Sequence, residues 1–191
     1  GVEGDTPSFL HVTPNGLNDP TVCSQTGWGG YFRWGLSPDS LTTCYTNADP
    51  AVKCISEKYE KYFYPAIFAN FVARMDWAAY GKGNRNPIVI VNGEKGLSPI
   101  IIEPETEEEL QLNASESADP DKDKLTFHWW IMPEAGTYTS TVSIREADKA
   151  KAFLRIPQDA AGKELHIICE VTDNGTPALT SYRRVIIRPK R

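Results

Sequence analysis

The sequence has little that would support metal chemistry or nucleophilic catalysis. It contains three histidines and four cysteines in 191 residues. No Cys-x-x-C pair occurs and no His stands at metal-ligand spacing, which argues against a zinc site. No Ser or Cys lies in the context of a nucleophile elbow, so the histidines have no catalytic triad to complete. The sequence by itself therefore assigns no catalytic residue.

Two further absences limit the partners. The net charge is −5, and Lys and Arg form no cluster, which argues against nucleic acid or an anionic membrane surface as a partner. No apolar run approaches the length of a membrane span. The first seven residues lack the basic start and apolar centre of a signal peptide, so we expect that any export signal has already been removed.

The cysteines are compatible with an oxidising compartment. Cys23, Cys44 and Cys54 fall in a stretch rich in Gly and aromatic residues. We favour a disulfide between Cys23 and Cys44, while three reduced thiols remain the alternative. Cys169 lies in an apolar strand pattern, and we expect it to pack in a core.

Residues 97–191 have the pattern of an all-β domain. Short segments with alternating apolar residues are separated by turn sequences rich in Asp, Asn, Gly and Pro. The predicted strands are Ile100–Glu103, Glu109–Asn113, Lys124–Ile131, Thr139–Ile144, Ala152–Ile156, Glu164–Thr172 and Ser181–Ile187. Seven strands at this spacing are typical of an immunoglobulin-like sandwich.

Residues 1–96 have a mainly helical pattern. Asp49 and Pro50 form a helix start. The predicted elements are a strand at Ser8–Thr13, helices at Val52–Tyr62 and Pro65–Tyr80, a strand at Pro87–Asn92 and a hinge at Gly93–Ser98. So few strands and helices cannot bury both faces of a sheet, and we expect this half to take core from upstream residues or from the sandwich. The predicted fold class is α+β, with domains at 1–96 and 97–191.

A series of motifs in this order resembles one known family. The motifs in the first half are Gly4–Leu10, Pro14–Pro20, Gly27–Phe32, Ala73–Trp77 and Pro87–Gly93. Those in the second half are Leu112–Ser115, Asp119–Leu125, His128–Trp130, Glu134–Tyr138 and Glu170–Pro177. The chain resembles the later part of a family of cellulose-binding proteins that have a nucleoside-hydrolase-like N-terminal domain and an immunoglobulin-like C-terminal domain.

The resemblance implies that residues 1–96 are the end of an α/β nucleoside-hydrolase-like domain. Nucleoside hydrolases carry an aspartate cluster near their N-terminus that holds calcium and activates water, and no such cluster precedes Ser8 here. We therefore expect this chain alone not to be catalytic. The sequence leaves open whether a longer parent protein is a glycoside or nucleoside hydrolase. We also expect contact with an upstream domain of that parent.

A calcium site is one hypothesis for the acidic turn at residues 119–123. Carboxylates at alternate positions can converge on a hard cation, and the loop is similar to one that collects calcium in polycystic-kidney-disease repeats. The predicted ligands are Asn113, Asp119, Asp121, Asp123 and Asp173. Two interspersed lysines weaken the hypothesis, and a solvated Asp-Pro-Asp turn is the alternative.

Two adjacent tryptophans, Trp129 and Trp130, stand in the third predicted strand. Because neighbouring side chains on a strand point to opposite faces, one indole faces the core and the other faces outward. The outward set across three neighbouring strands is His128, Trp130, His166, Ile168, Glu170, Tyr182 and Arg184. This patch is too apolar for bare solvent. It could stack on a sugar ring, or it could dock against the helical half of the chain, which we favour.

The loop at Gly27–Trp34 places four aromatic residues among glycines. Such a loop can form the rim of a ligand site, or it can pack its own aromatics beneath it. With the sheet face included, the predicted substrate-binding residues are Glu3, Asp5, Asn15, Trp28, Trp34 and Trp130.

The resemblance implies a carbohydrate-associated protein, which we expect to be secreted or periplasmic. Its expected ligand is a polysaccharide or another glycoside, which it binds itself or for a hydrolase whose catalytic aspartates lie upstream. One alternative is a part of an N-glycoside hydrolase that acts on nucleosides. The other is a structural module that stabilises its neighbouring domain.

Overall fold

The computed structural model describes residues 6–22 and 24–190 and contains two compact units. The first unit ends at Phe68, and the second consists of Asn15–Leu17 together with the chain from Ala69 onward. Residues 69–96 thus group with the sandwich, while the predicted domain boundary at 96/97 remains a prediction. The architecture is α+β, as the sequence predicts.

The first unit consists of a short helix, a hairpin and the first part of a long helix. Helix α1 is Thr6–Val12, strands β1 and β2 are Arg33–Leu36 and Thr43–Thr46, and helix α2 is Pro50–Tyr80. Strands β1 and β2 pair antiparallel. Asp49 caps α2, because its Oδ1 accepts hydrogen bonds from the backbone N–H groups of Ala51 and Val52 at 2.9 and 3.2 Å.

Two predictions for this half are wrong. The run at residues 8–13 is helix α1 and not a strand, since a short apolar run does not distinguish the two and Pro7 suits a first helical turn. The predicted break at Pro65 is also absent, because the 31-residue helix α2 is continuous through this proline. Burial of Phe63 before the proline and Ala73 after it stabilises the helix enough to offset one lost backbone hydrogen bond.

The second unit contains a β-sandwich. Its six strands are β3 (Ile100–Ile102), β4 (Glu109–Asn113), β5 (Thr126–Ile131), β6 (Lys151–Arg155), β7 (Leu165–Thr172) and β8 (Thr180–Ile187). One sheet has the order β3-β8-β7-β5 and the other pairs β4 with β6. Strand β3 runs parallel to β8, and the other pairs are antiparallel.

Alternation along the strands produces the core between the two sheets, as predicted. Trp129 of β5 is 1% exposed, and its indole N–H donates to the Lys149 carbonyl at 2.9 Å. The four inward residues of β7 are all buried in the same cluster, and they are Leu165, Ile167, Cys169 and Val171. The prediction that Cys169 packs in a core is confirmed.

Two of the predicted strands are not formed. Residues 139–144 keep their alternation, since Val142 and Ile144 pack against the core, but backbone pairing occurs only where Arg145 meets Phe153. Residues 87–92 make isolated bridges and no regular strand. Residues 139–144 thus keep the burial period of a strand without a continuous ladder, whereas Val89, Ile90 and Val91 are all buried in succession.

The predicted hinge after residue 92 begins with a tight turn. Val91 and Glu94 exchange two backbone hydrogen bonds, and Asn92 and Gly93 between them have φ values of 52° and 78°. An Asn-Gly pair with two positive φ angles is the signature of a type I′ hairpin turn. Residues 91–94 therefore form a regular turn and not an extended, flexible linker.

Two cysteines outside the core are free thiols. Cys44 and Cys54 are free, and Cys23, the expected partner of Cys44, lies outside the described residues. Across the described ranges 6–22 and 24–190, no helix is long and apolar enough to span a bilayer.

We predict that Trp129→Ala lowers the free energy of unfolding by about 3–5 kcal/mol, because it leaves a cavity between the sheets and removes the bond to Lys149. Urea denaturation monitored by circular dichroism measures this loss. Trp34→Ala is the matched control. Its ring is exposed, so we expect a change under about 1 kcal/mol. Equal losses in the two variants would contradict the assignment of Trp129 to the core.

Candidate functional site

The outer face of the four-stranded sheet is not an open binding surface. The outward set alternates as predicted, but His166, Ile168, Tyr182 and Arg184 are buried. Trp130 and Glu170 are partly buried, and His128 is exposed. Most of this patch is therefore unavailable to a sugar polymer.

Residues from the first half of the sequence cover part of this patch within the second unit. The backbone N–H groups of Tyr182 and Arg184 donate to the carbonyls of Asn15 and Gly16 at 3.0 and 3.1 Å. Gly16 has a φ of +83°, and a Cβ there would lie 2.0 Å from the Tyr182 carbonyl oxygen, so only glycine fits. These bonds place the segment along the edge of β8, and docking of the helical half on the sheet face stays a prediction.

A buried polar network lies beneath this segment. The Arg184 guanidinium donates to the Leu17 carbonyl and, at 2.8 Å, to Nδ1 of His166. Because a guanidinium only donates, Nδ1 must accept, so the proton of a neutral His166 lies on Nε2. Nε2 is 2.7 Å from Oε1 of Glu164. The other carboxylate oxygen of Glu164, Oε2, accepts a hydrogen bond from Arg188. Burial, followed by the charge of Arg184, lowers the pKa of His166 to about 4.

The glycine-rich loop packs its first aromatics into the first unit. Trp28 and Tyr31 are buried, and the Tyr31 amide donates to Oγ of Ser56 at 3.0 Å. A Cβ on Gly30 would lie 2.4 Å from the same oxygen. The glycine thus allows close packing on α2 and does not open a ligand site. The prediction that Trp28 contacts substrate does not agree with its burial.

Trp34, by contrast, is exposed beside a second aromatic residue. It lies opposite Tyr45 in the register of β1 and β2, with 63% and 46% of the two residues exposed. The ring centroids are 5.3 Å apart at an interplanar angle of 73°, an edge-to-face pair. The two rings form an apolar surface on the hairpin, which we call the aromatic pair.

A groove of about 510 Å³ adjoins the aromatic pair. It is lined by Trp34 and by hairpin and helix-start residues that include Arg33, Ser37 and Asp49. The Arg33 guanidinium is fixed, since its Nε donates to the Tyr31 hydroxyl at 2.8 Å. Aromatic surface beside a few oriented polar groups is the usual composition of a site for a small polar ligand.

The sequence prediction missed this hairpin and therefore missed Tyr45. The signal was present, because Ser-Pro-Asp-Ser at residues 37–40 is a turn sequence between two runs containing β-forming residues. Ser37 and Asp39 stabilise that turn through side-chain hydrogen bonds. Glycines around the first run concealed the strand pattern.

The structure describes two of the other predicted binding residues in the second unit, Asn15 and Trp130. Glu3 and Asp5 lie outside the described residues. Asn15 is buried, and its Oδ1 accepts from the Leu17 amide at 2.9 Å. Trp130 lies on β5 in the sandwich. Among the predicted binding residues that the structure describes, Trp34 is the one that lines the groove.

The predicted calcium ligands are engaged in other contacts. The Asp173 carboxylate accepts from the Asn84 amide at 3.0 Å and from two backbone N–H groups. Asp121 forms an ion pair with Arg85, whose hydrogen bond lowers the pKa of that carboxyl. Asn113 caps a turn through the Ser115 amide.

The two other carboxylates of the turn, Asp119 and Asp123, lie near each other and near further acidic side chains. Asp119 accepts from the amides of Asp121 and Asp123. Burial and the neighbouring carboxylates raise the pKa of Asp123. In the part of the chain that the structure describes, however, no group of three acidic, His or Cys side chains is arranged to hold a metal ion. This donor set does not fit a calcium ion as it stands, and calcium binding stays a prediction.

Comparisons with known proteins add to this geometry. Residues 109–189 match the family model described as the C-terminal domain of cellulose-binding protein Sde0182. Residues 1–32 match the model for the nucleoside hydrolase-like domain of cellulose-binding Sde182. None of the curated proteins matches the chain.

One solved structure is similar along the whole chain. It is a nucleoside hydrolase-related hypothetical protein from Saccharophagus degradans, described as associated with carbohydrate metabolism. Identity is 34% and the TM-score is 0.84, and the match covers 100% of this chain and 48% of that one. This chain therefore spans about half the length of its solved relative.

Two other structures are much less similar. The PKD domain of the KIAA 1837 protein is 16% identical with a TM-score of 0.33, covering 48% of this chain and 79% of that one. A human CDH23 EC21-23 fragment is 16% identical with a TM-score of 0.37, covering 55% of this chain and 35% of that one. Scores this low carry no argument.

We predict that the protein loses stability as the pH falls from about 6.5 to 4. The pKa of His166 is lower in the folded protein, so the unfolded chain binds more protons in this window, and the free energy of unfolding falls by up to about 1.4 kcal/mol per pH unit. Glu164, whose pKa is also lowered, adds a loss of the same sign at lower pH.

Urea denaturation at several pH values, with His166→Gln as the comparison, measures this dependence. Glutamine keeps one donor and one acceptor but does not titrate, so its pH slope in this window should be smaller. His11, whose pKa burial also lowers, is present in both proteins. Equal slopes would show that His166 is not the responsible group.

Proposed function

We propose that this chain, which belongs to the family of cellulose-binding proteins with a nucleoside-hydrolase-like domain, binds polysaccharide through the aromatic pair Trp34 and Tyr45. The main support for this proposal is that the side chains of Trp34 and Tyr45 are exposed and in contact with each other beside the groove. The family membership supports the ligand class. The binding surface for polysaccharide is then the β1–β2 hairpin of the first unit.

The chemistry of the aromatic pair suits a sugar ring. A pyranose presents an apolar face of C–H bonds, and large rigid aromatic rings cover such a face at a low cost in conformational entropy. The edge-to-face contact of Trp34 with Tyr45 limits the motion of both rings before a ligand arrives. Less ordering is then required on binding.

The groove supplies polar groups for the sugar hydroxyls. Arg33 has three guanidinium nitrogens, of which Nε is bonded to the Tyr31 hydroxyl, so its other N–H groups are oriented by that bond. Ser37 and Asp49 also line the groove. These groups can exchange hydrogen bonds with hydroxyls at the edge of a ring stacked on Trp34.

A hydrolytic role is a second candidate for the longer protein. The observation that favours it is the match of residues 1–32 to a nucleoside hydrolase-like domain. In this candidate the catalytic carboxylates come from sequence outside the chain, and the chain contributes polysaccharide binding. Secretion or a periplasmic location is part of the proposal, because polysaccharides of this kind lie outside the cell.

We predict that microcrystalline cellulose depletes the chain from solution and that Trp34→Ala or Tyr45→Ala weakens the affinity about tenfold, or about 1.4 kcal/mol. Binding isotherms on cellulose, with parallel panels of xylan and chitin, measure this effect. Both rings are exposed, so circular dichroism should be unchanged in the variants.

Two controls make this test specific. Leu41→Ala removes another exposed apolar side chain, at the turn of the same hairpin, and should leave the isotherm unchanged. Trp130→Ala tests the sheet face. A loss of binding confined to Trp130→Ala would overturn the hairpin assignment, and no retention on any polysaccharide would overturn the proposed function.

A further inference from the structure

We infer that a groove at the C-terminal end of helix α2 binds a uronic acid unit of an acidic saccharide. This groove, which we call the α2-end groove, has a volume of about 500 Å³. Its lining residues all belong to the second unit and are Trp77, Gly81, Lys82, Gly83, Arg85 and Asp121. The inference rests on the proposed function for the saccharide class of the ligand, but it concerns a different surface from the β1–β2 hairpin.

The loop after α2 gives the groove a fixed shape. The amide of Gly81 donates to the Trp77 carbonyl at 3.0 Å, and its φ of +67° is typical of the residue that ends a helix. The buried Asn84 side chain donates to the Asp173 carboxylate at 3.0 Å and to the Pro177 carbonyl at 2.9 Å. The loop is therefore tied to the sandwich within the second unit, and its residues need little ordering when a ligand binds.

Trp77 provides the apolar surface of the α2-end groove. The residue is partly exposed, and Gly83 packs against its indole, because a Cβ on this glycine would lie 2.6 Å from Cδ1 of the ring. The close approach of the backbone limits the motion of the indole. A ring held in this way can cover the face of C–H bonds that a pyranose presents.

Arg85 provides a fixed cation with unused donors. Its Nε donates to Oδ1 of Asp121 at 2.9 Å, and its Nη2 donates to the Pro120 carbonyl at 3.0 Å. Its backbone amide donates to Oδ2 of the same aspartate at 2.9 Å. Nη1 has no hydrogen-bond partner among residues 6–22 and 24–190. Because a guanidinium has five N–H donors, the two on Nη1 are available to a ligand.

Lys82 provides a second cation in the same groove. It is exposed, and its ammonium forms no ion pair with a carboxylate in the part of the chain that the structure describes. The lining residues thus carry two positive charges and one negative charge, although the whole chain has a net charge of −5. Asp119 and Asp123 of the acidic turn are not among the described residues that line the groove. A carboxylate on the ligand would balance the excess positive charge.

These features together match a uronic acid. Its pyranose ring has an apolar face and its C6 atom is a carboxylate, so one unit can stack on Trp77 while its charge meets Lys82 and Nη1 of Arg85. A neutral sugar would leave the excess positive charge unbalanced, and a small inorganic anion would leave the indole uncovered. Selection among these ligands therefore depends on the ring and the charge together.

Titration of the 191-residue chain with trigalacturonic acid tests the inference. The matched ligand is the methyl ester of the same trimer, which keeps the rings but removes the charge. Isothermal titration calorimetry should detect binding of the acid, with the ester bound about fivefold more weakly or not at all, because it forms no ion pair. A parallel titration with trimannuronic acid shows which ring stereochemistry the groove accepts.

Two lysine variants locate the binding surface. Lys82→Gln should weaken binding of the acid about threefold to fivefold, because it removes one exposed ion pair. Lys151→Gln removes the same charge from β6 of the same unit and should leave the affinity unchanged. Both lysines are exposed, so neither change should disturb folding.

Nuclear magnetic resonance gives an independent measurement without relying on a change in affinity. The chain has five tryptophans, and Trp77→Phe identifies the indole N–H signal of Trp77 by removing it. In the unsubstituted chain this signal should shift as the acid is added. The indole signal of Trp34, identified in the same way, should not.

Three outcomes would overturn the inference. The first is equal affinity for the acid and the ester, or binding of neither. The second is an equal effect of Lys82→Gln and Lys151→Gln, which would leave Lys82 only the role of a cation at a helix C-terminus. The third is an unchanged Trp77 signal. Trp34→Ala should weaken cellulose binding but leave the titration with the acid unchanged, so failure here and failure of the proposed function are distinguishable.

Discussion

The second unit depends on how it accommodates the buried charge of Arg184. A guanidinium without solvent must have its donors satisfied, or its burial would cost several kcal/mol. The Leu17 carbonyl and neutral His166 accept from it, and Glu164 binds the far side of the imidazole. These contacts commit the middle of the sheet face to the interior. The middle of this face is therefore closed to a polysaccharide, and the proposed binding surface lies on the hairpin of the first unit.

Elements whose burial follows directly from local alternation could be predicted from the sequence. Strands β5 and β7 have one apolar side each, so Trp129 and Cys169 were assigned to the core correctly. Elements that depend on distant packing could not be assigned. Helix α2 passes through Pro65 because residues on either side of it are buried, and no local signal predicts that outcome.

The sequence could predict that Trp34 belongs to the candidate site, but not which residue lies beside it. Trp34 could be predicted because aromatic residues in a glycine-rich loop can form the rim of a ligand site, but its neighbour Tyr45 is defined by hairpin register. The same composition misplaced Trp28, since glycines that admit a ligand also admit a helix. The predicted calcium ligands followed from the sequence, while Asn84 and Arg85, which bind Asp173 and Asp121, come from another segment.

The segment at residues 15–17 lies against β8 at Tyr182 and Arg184, and β3 pairs with β8 at residues 185–187. Together they cover the edge of β8 that faces away from β7. An uncovered strand edge is a template for strands of other molecules. Replacement of Gly16 by any larger residue would force the segment away and leave that part of the edge open. The phenotype to expect from such a change is self-association into aggregates, with the groove in the first unit left intact.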